Sequence, residues 1–334
     1  SSVTQNILIK YISHITAYDE VGISNGIVFN NIIHKWKRSR QFVTKVLMSK
    51  KYHIGFINSV QKIFKELEKQ WDENNIVTLD FSKWVFCYKT KITIETVIGQ
   101  SLYNLPFDSI SKAASEHIAM FAFLAFVPNC ISNIVMLLGF NTMKKNFIFL
   151  NGTTSNIIKK RRNEIKNGSP TAFNLLDLLL IANSLNDSEY IEGERPMDDD
   201  EIENNLSDII AASIETTANT LCFLIYNVSK NPLILEKICA EILKIFGSNK
   251  NSMITYEDLE KCQYIDALIK ETIRHTNPIP YNIRILDGDE SIDKSHWESG
   301  TWFWIDHHRI MNNPNYWKEP NKFNPDRFLS EEHG

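Results

Sequence analysis

The sequence predicts a mainly α-helical chain with a few short β-strands towards its C-terminal end. Three observations predict it. Glycine and proline are scarce, 12 and 10 in 334 residues, too few for a chain built of many short strands and turns. Apolar residues recur at three-to-four spacing over most of the length, the period of an amphipathic helix. After Pro278 the texture changes to Gly288, Gly300 and short Ile/Trp/Phe alternations, which have the period of strands. A composition of 43% hydrophobic and 23% charged residues is that of a folded globular chain. It excludes a disordered tail, a collagen-like repeat and a disulfide-rich mini-protein. With 36 basic against 40 acidic residues the net charge is −4, which argues against a nucleic-acid binder that works by bulk charge.

Taken in order, residues 1–16 read as a short amphipathic helix and 17–31 as a loop punctuated by Gly22 and Gly26. Helices are expected over 32–49, 51–72 and 78–99, the last ending at Gly99, a residue type that closes helices. Residues 108–165 read as helical with a break at Pro128-Asn129, and 171–183 as a short apolar helix. The stretch 186–196 is acidic and reads as a loop. The longest helix follows, over about 198–230, with Asp198, Asp199, Asp200 and Glu201 in its first turn, where negative charge suits the helix dipole. At 1.5 Å per residue it runs about 45 Å, long enough to cross a whole domain. Asn231-Pro232 opens the next helix, with Asn as N-cap, and Gly247 ends it. A further helix spans 256–275, with Leu259, Cys262, Ile265, Leu268, Ile269 and Ile273 as its buried face. Two or three short strands occupy 281–306, and 311–328 is an ordered coil rich in Asn, Pro and aromatics.

The cysteines Cys87, Cys130, Cys222, Cys239 and Cys262 are odd in number and widely spaced, without CxxC or a Cys/His cluster. They read as reduced thiols rather than disulfides or a zinc site. The start, Ser1 to Asn6, lacks the features of a signal peptide and an initiator Met, so the true beginning is expected upstream. Residues 118–140 carry no charge over 23 positions, long enough to span a bilayer. Pro128, Asn129, Ser132 and Asn133 interrupt the middle, which favours a buried helix pair or a membrane-dipping loop. The basic run Lys159-Lys160-Arg161-Arg162 reads as a solvated helix face or as a patch for a partner or lipid headgroups.

Four local features bear chemistry. Ala211-Ala212-Ser213-Ile214-Glu215-Thr216-Thr217 places small residues, an acid and two hydroxyls inside the long apolar helix. Small side chains admit a flat ligand, and a mid-helix Thr can take a carbonyl of the previous turn. Taken alone, an exposed polar stripe explains the pattern equally well. Glu271 and Arg274 stand three apart on one helix face and can pair. Pro325-Asp326-Arg327-Phe328 sets an arginine between a proline and an aromatic in coil. Trp36 and Arg40 lie one turn apart, an indole N–H donor beside a guanidinium, suited to a carboxylate or phosphate. A surface helix with a core Trp is the plainer alternative.

The order WxxxR, ETT helix, ExxR and PxRF resembles the cytochrome P-450 family of haem-thiolate monooxygenases, over most of the chain. The runs YEDLEKCQYIDALIKETIRHTNPIP and NPNYWKEPNKFNPDRF, and NLLDLLL before the long helix, are similar to that family as well. The resemblance implies a P-450 fold, truncated at both ends, in which 1–334 is one partial domain. It contains an I-type helix at 198–230, an ExxR helix at 256–275, and strands and meander over 278–334. It implies that Trp36 and Arg40 bind one haem propionate and Arg284 the other. Glu271, Arg274 and Arg327 would form a buried ion network, which is favourable only as a unit. Glu215 and Thr216 would deliver protons, and Ala211, Ala212 and Ile279 would line an apolar substrate pocket. The implied cofactor is haem b, with O2 and with electrons from NADPH through a flavoprotein reductase. That reductase would meet the basic residues Lys35, Lys37 and Arg38. The implied location is the cytosolic face of the endoplasmic reticulum membrane, touched through 118–140.

Three departures stand out. Ser213 occupies the place of the family's glycine, so its hydroxymethyl either narrows the groove or bonds back to the helix. Met311 stands where many relatives carry a His. The family's cysteine loop, F-x-x-G-x-R-x-C-x-G, is not found before Gly334, and none of the five cysteines has that context. The metal-ligating thiolate is therefore expected outside these residues, and the chain as given is expected to be an inactive fragment. A non-catalytic P-450-like protein is the alternative expectation, and a helical membrane protein anchored by 118–140 a weaker one.

Overall fold

A computed structural model describes residues 5–6, 26–28, 30, 33–73, 78–99, 109–116, 119, 129–168, 174–182, 197–248, 253–286 and 288–329. Its elements are β1 (Gln5–Asn6), α1 (Ile33–Leu47), α2 (Lys50–Glu73), α3 (Phe81–Val97), α4 (Asn129–Lys166), α5 (Leu175–Ala182), α6 (Asp199–Lys230), α7 (Pro232–Phe246), α8 (Tyr256–Leu259), α9 (Gln263–His275), β2 (Tyr281–Ile285), β3 (Glu290–Ile292), β4 (Ser295–Trp297), β5 (Trp302–Asp306), α10 (His307–Met311) and a 3-10 turn at Pro325–Phe328. One sheet has the order β1-β2-β5, and β3 and β4 form a separate antiparallel pair.

The chain divides into two compact units. The first comprises 1–63, 87–215 and 284–302, the second 64–86, 216–283 and 303–334. In the first unit, α5 packs on α1 and on α4. Leu175, Leu176 and Leu179 of α5 and Phe42, Val43 and Val46 of α1 are all buried. Complete burial of each such side chain contributes about 1.5–3 kcal/mol. Polar groups set the helix directions. Arg161 of α4 donates from Nε and Nη2 to the two carboxylate oxygens of Asp177 in α5, both at 2.7 Å, and from Nη1 to Glu164 at 2.8 Å. The side chain of Asp177 is entirely buried. At the start of α6, Glu201 N–H donates to Asp198 Oδ1 at 2.8 Å while Asp198 N–H donates to Glu201 Oε2 at 2.9 Å. This reciprocal box satisfies two donors that a bare helix end leaves open. Gly99 ends α3 with φ +94°, and a Cβ there would meet the Asn174 amide at 2.6 Å, so only glycine fits.

In the second unit, Val228 of α6, Ile234 of α7, and Tyr264 and Leu268 of α9 form one core, with Leu224, Ile238 and Phe323 packed against it.

Several expectations are corrected. The stretch 1–16 was expected as helix, yet Gln5 and Asn6 form a strand, antiparallel to Ile285 and Arg284. Its hydrogen bonds come from residues almost the whole chain away, which local periodicity does not register. The expected helix 256–275 is two helices. A capping box between Thr255 and Asp258 starts α8. Glu241 reaches from α7 to accept the N–H groups of Tyr264 and Ile265, at 2.7 and 3.0 Å, and so caps α9 separately. The buried face of α9 is Tyr264, Ala267, Leu268, Glu271, Thr272 and Arg274, whereas Leu259, Ile269 and Ile273 are exposed. An ion network draws the polar face inwards. Asn231 occupies the N-cap of α7, but its amide donates backwards to Asn227 O at 2.7 Å instead of capping. Four strands, not two or three, lie within 281–306. Of the segment 118–140, residue 118 and residues 120–128 lie outside the described residues, and the backbone of 129–140 belongs to α4. Among the described residues one helix, α6, is long and apolar enough to cross a membrane.

Candidate functional site

Helix α1 carries Trp36 and Arg40 on one edge of its buried face, which is formed by Ser39, Phe42, Val43 and Val46. The Arg40 guanidinium lies over the Trp36 ring, 5.1 Å from its centre, the geometry of a cation–π contact. Arg40 is exposed, and among the described residues no carboxylate or carbonyl engages it. The opposite edge of α1 is pinned. Arg38 donates to Glu201 of α6 at 3.0 Å, with side-chain exposures of 11% and 15%, and Asn205 Nδ2 donates to Ser39 Oγ at 3.3 Å. These links fix the roll of α1 and hence the side on which Trp36 and Arg40 stand. They also correct one expectation, because Arg38 is committed to Glu201 and is not a surface charge for a partner. Lys35 and Lys37 remain exposed.

The middle of α6 is continuous helix through 211–217. Ala211 is buried, while Ala212, Ser213, Glu215 and Thr216 are half-buried. The Oε2 atom of Glu215 is shielded from solvent and has no hydrogen-bond partner among the described residues. Desolvation raises the pKa of this carboxyl above the ordinary glutamate value, since burial disfavours the charged form. The Ser213 hydroxyl bonds back to Ile210 O at 3.4 Å and meets Thr93 Oγ1 of α3 at 3.2 Å. One turn further on, Thr220 donates to Thr216 O at 2.8 Å.

Glu271, Arg274 and Arg327 are brought together, with exposures of 0%, 2% and 8%. Arg274 donates from Nε and Nη2 to the two Glu271 oxygens at 2.7 and 3.0 Å. Arg327 Nε donates to Glu271 Oε1 at 3.2 Å, and the Asn324 N–H to the same oxygen at 2.7 Å. The remaining guanidinium donors hold the tail by its backbone. Arg274 reaches Met311 O and Pro320 O, and Arg327 reaches Lys318 O, Glu319 O and Lys322 O. Met311 thus acts through its carbonyl, which any side chain there would supply. Trp317 stacks on Arg274 at 5.3 Å and donates Nε1–H to Ile310 O at 3.1 Å.

Arg284 is half-buried in β2, registered opposite Asn6 of β1. Ile279 is 50% exposed in the turn before β2. Burial raises the thiol pKa of Cys222 and Cys262, so neither is a ready thiolate. The basic run divides. Arg161 is held by Asp177, Arg162 pairs with Asp199, and Lys159 and Lys160 are exposed.

Sequence reasoning missed Trp317, Asn324, Asn205 and Thr93. An Asn before Pro325 is a readable cap signal, and Asn324 Oδ1 does accept the Asp326 N–H at 3.3 Å. Nothing local in the sequence marks Thr93 or Asn205.

A family model described as Cytochrome P450 matches residues 9–334. The chain belongs to the cytochrome P450 family. It is 26% identical over 307 residues to Cytochrome P450 71B38 of Arabidopsis thaliana, covering 88% of this chain and 60% of that protein. To Cytochrome P450 3A17 of Cavia porcellus it is 27% identical over 307 residues, covering 88% of this chain and 59% of that protein. The chain therefore spans about 60% of the length of the curated relatives it matches. Solved P450 structures share its fold. A zebrafish cytochrome P450 with progesterone superposes with TM-score 0.76 at 19% identity, over 94% of this chain and 72% of that one. The retinoic acid-bound cyanobacterial CYP120A1 gives 0.74 at 16% identity, over 95% and 66%. The P450 fold here is mainly helical with a few short strands, as the sequence predicts.

Proposed function

We propose that this P450 chain is part of a haem-dependent monooxygenase that inserts one oxygen atom of O2 into an apolar organic substrate. The observation that carries the reading is the Arg40 guanidinium, stacked on Trp36 and engaged by no acid among the described residues. The residues present fit haem b. An exposed guanidinium and an indole N–H stand ready for one propionate, and Arg284 serves the second. Haem, when bound, supplies the oxygen-activating chemistry. The chain's own residues position it and manage protons. Glu215, its pKa raised by desolvation, keeps a proton on its carboxyl to a higher pH than an ordinary glutamate and can hand it on. Thr216, the next residue of α6, orients a donor hydroxyl on the same helix. The Glu271–Arg274–Arg327 network fastens the tail to α9 and keeps the 3-10 turn in place.

In this reading Ala211 and Ala212 offer small side chains to an apolar substrate, and Ile279 offers an exposed apolar one. The two solved neighbours hold progesterone and retinoic acid, both built largely of hydrocarbon, which supports an apolar substrate class. Lys35 and Lys37 offer positive charge to an NADPH-dependent flavoprotein reductase. The uncharged segment 118–140 supports contact with the endoplasmic reticulum membrane from its cytosolic side.

Arg40→Leu tests the reading. In the complete gene product, haem transfer to apomyoglobin should speed up at least tenfold, the factor carried by one charge-assisted hydrogen bond. Lys37→Leu, on the same helix, should leave the transfer rate unchanged. Equal rates for Arg40→Leu and wild type would remove the propionate assignment.

A further inference from the structure

We infer that Thr93 is a positioning residue for the side of α6 that carries Ala212 and Thr216, the side the haem reading sets towards the cofactor, and that it holds the Ser213 hydroxyl turned away from them. The inference rests on the haem reading above and concerns a residue of α3 that none of the family motifs contains.

A serine in place of glycine adds a hydroxymethyl beside Ala212 and one turn ahead of Thr216, and residues three apart on a helix are surface neighbours. The side chain has three staggered choices. The observed one places Oγ 3.4 Å from Ile210 O and 3.2 Å from Thr93 Oγ1. Both contacts exceed the usual O–H···O range, and the shorter is the one to Thr93, the only one of the two made to a side chain that can be changed. Thr93 is 1% exposed, between Thr90 at 0% and Thr96 at 3%, and a β-branched side chain in a helix has few χ1 options. A buried hydroxyl needs a partner, and Ser213 Oγ is the one found for Thr93 among the described residues. One hydrogen-bond run satisfies both groups, from Thr93 O–H to Ser213 Oγ and from Ser213 O–H to Ile210 O. Without the Thr93 hydroxyl, Ser213 is released to the rotamer on the Ala212/Thr216 side, where it crowds the haem-facing groove and retains water there.

The test uses the haem-loaded complete protein, its substrate-free ferric spectrum, and imidazole as the probe of access to the iron. Thr93→Val should shift the Soret band and weaken imidazole binding about fivefold, the factor of one ordinary hydrogen bond. Thr93→Ser should match wild type. Thr93→Val/Ser213→Gly should match Ser213→Gly alone, since no hydroxyl remains to be misplaced. An unshifted Thr93→Val, or a shift that persists with glycine at 213, overturns the inference. If Thr93→Val retains no haem, recovery of loading in the Ser213→Gly background supports the inference and continued loss overturns it. A wild-type protein that binds no haem overturns the haem reading instead. The Thr93–Ser213 pairing is then tested by melting the apoprotein. Thr93→Val should lower the midpoint by about 2–4 °C, and by under about 1 °C with glycine at 213. Additive losses overturn the pairing.

Discussion

Arg274→Ala lowers the stability of the complete chain by about 3–5 kcal/mol. The substitution removes both donors that grip Glu271 at 2.7 and 3.0 Å and the two that hold Met311 O and Pro320 O. Arg327 and the Asn324 N–H still reach Glu271, but the carboxylate remains in a site with 0% exposure and half its donors gone. A domain of ordinary stability has about 5–15 kcal/mol in total, so the loss is a large share of it. Arg274→Lys should recover little, because an ammonium cannot make the side-by-side fork or reach two carbonyls at once. Glu271→Leu/Arg274→Met should be milder than Arg274→Ala, since it leaves fewer buried charges. Urea unfolding read by tryptophan fluorescence checks the series, with Trp317 as a local reporter stacked on Arg274. A midpoint for Arg274→Ala equal to that of wild type would show that the network is not a stabilising unit.

Arg161→Ala should cost about 3 kcal/mol, by the same rule for a broken buried ion pair. The effect falls in the other unit, where Arg161 joins α4 to α5. Asp177 loses its two-point contact at 2.7 Å while its side chain stays fully buried. Glu164 retains Lys160 at 3.9 Å on the surface, so Asp177 carries the cost. Asp177→Leu in the Arg161→Ala background should restore part of the loss. A thermal melt of the three proteins decides, and a double variant less stable than Arg161→Ala would contradict the assignment.

What could be read from the sequence is what neighbouring residues decide. Helix α1 was expected over 32–49 and runs over Ile33–Leu47, because its apolar spacing is strong and local. The acidic start of α6 was legible for the same reason, and the structure adds the Asp198–Glu201 box. The break between α8 and α9 was not legible, because its cause is Glu241 reaching across from α7. The inner face of α9 was misassigned because an apolar count cannot foresee that Glu271 and Arg274 are buried with Arg327 and expose Ile269 and Ile273. The family resemblance nevertheless implied those three charged residues as one unit. The same limit applies to Arg38 and to the basic run at 159–162, where Glu201 and Asp177 draw Arg38 and Arg161 out of the solvated face and Asp199 pairs with Arg162 at the surface. A hydroxyl on α6 found its partner on α3, and no spacing rule links Ser213 to Thr93.

The central claim is a haem seated against the face marked by Arg40 and Trp36. The most direct measurement is the carbon-monoxide difference spectrum of the reduced protein, expressed from the complete gene. The account predicts the red-shifted Soret band of a thiolate-ligated haem, with its amplitude reduced in Arg40→Leu. A spectrum without that band in a folded, haem-supplemented wild-type protein would contradict it.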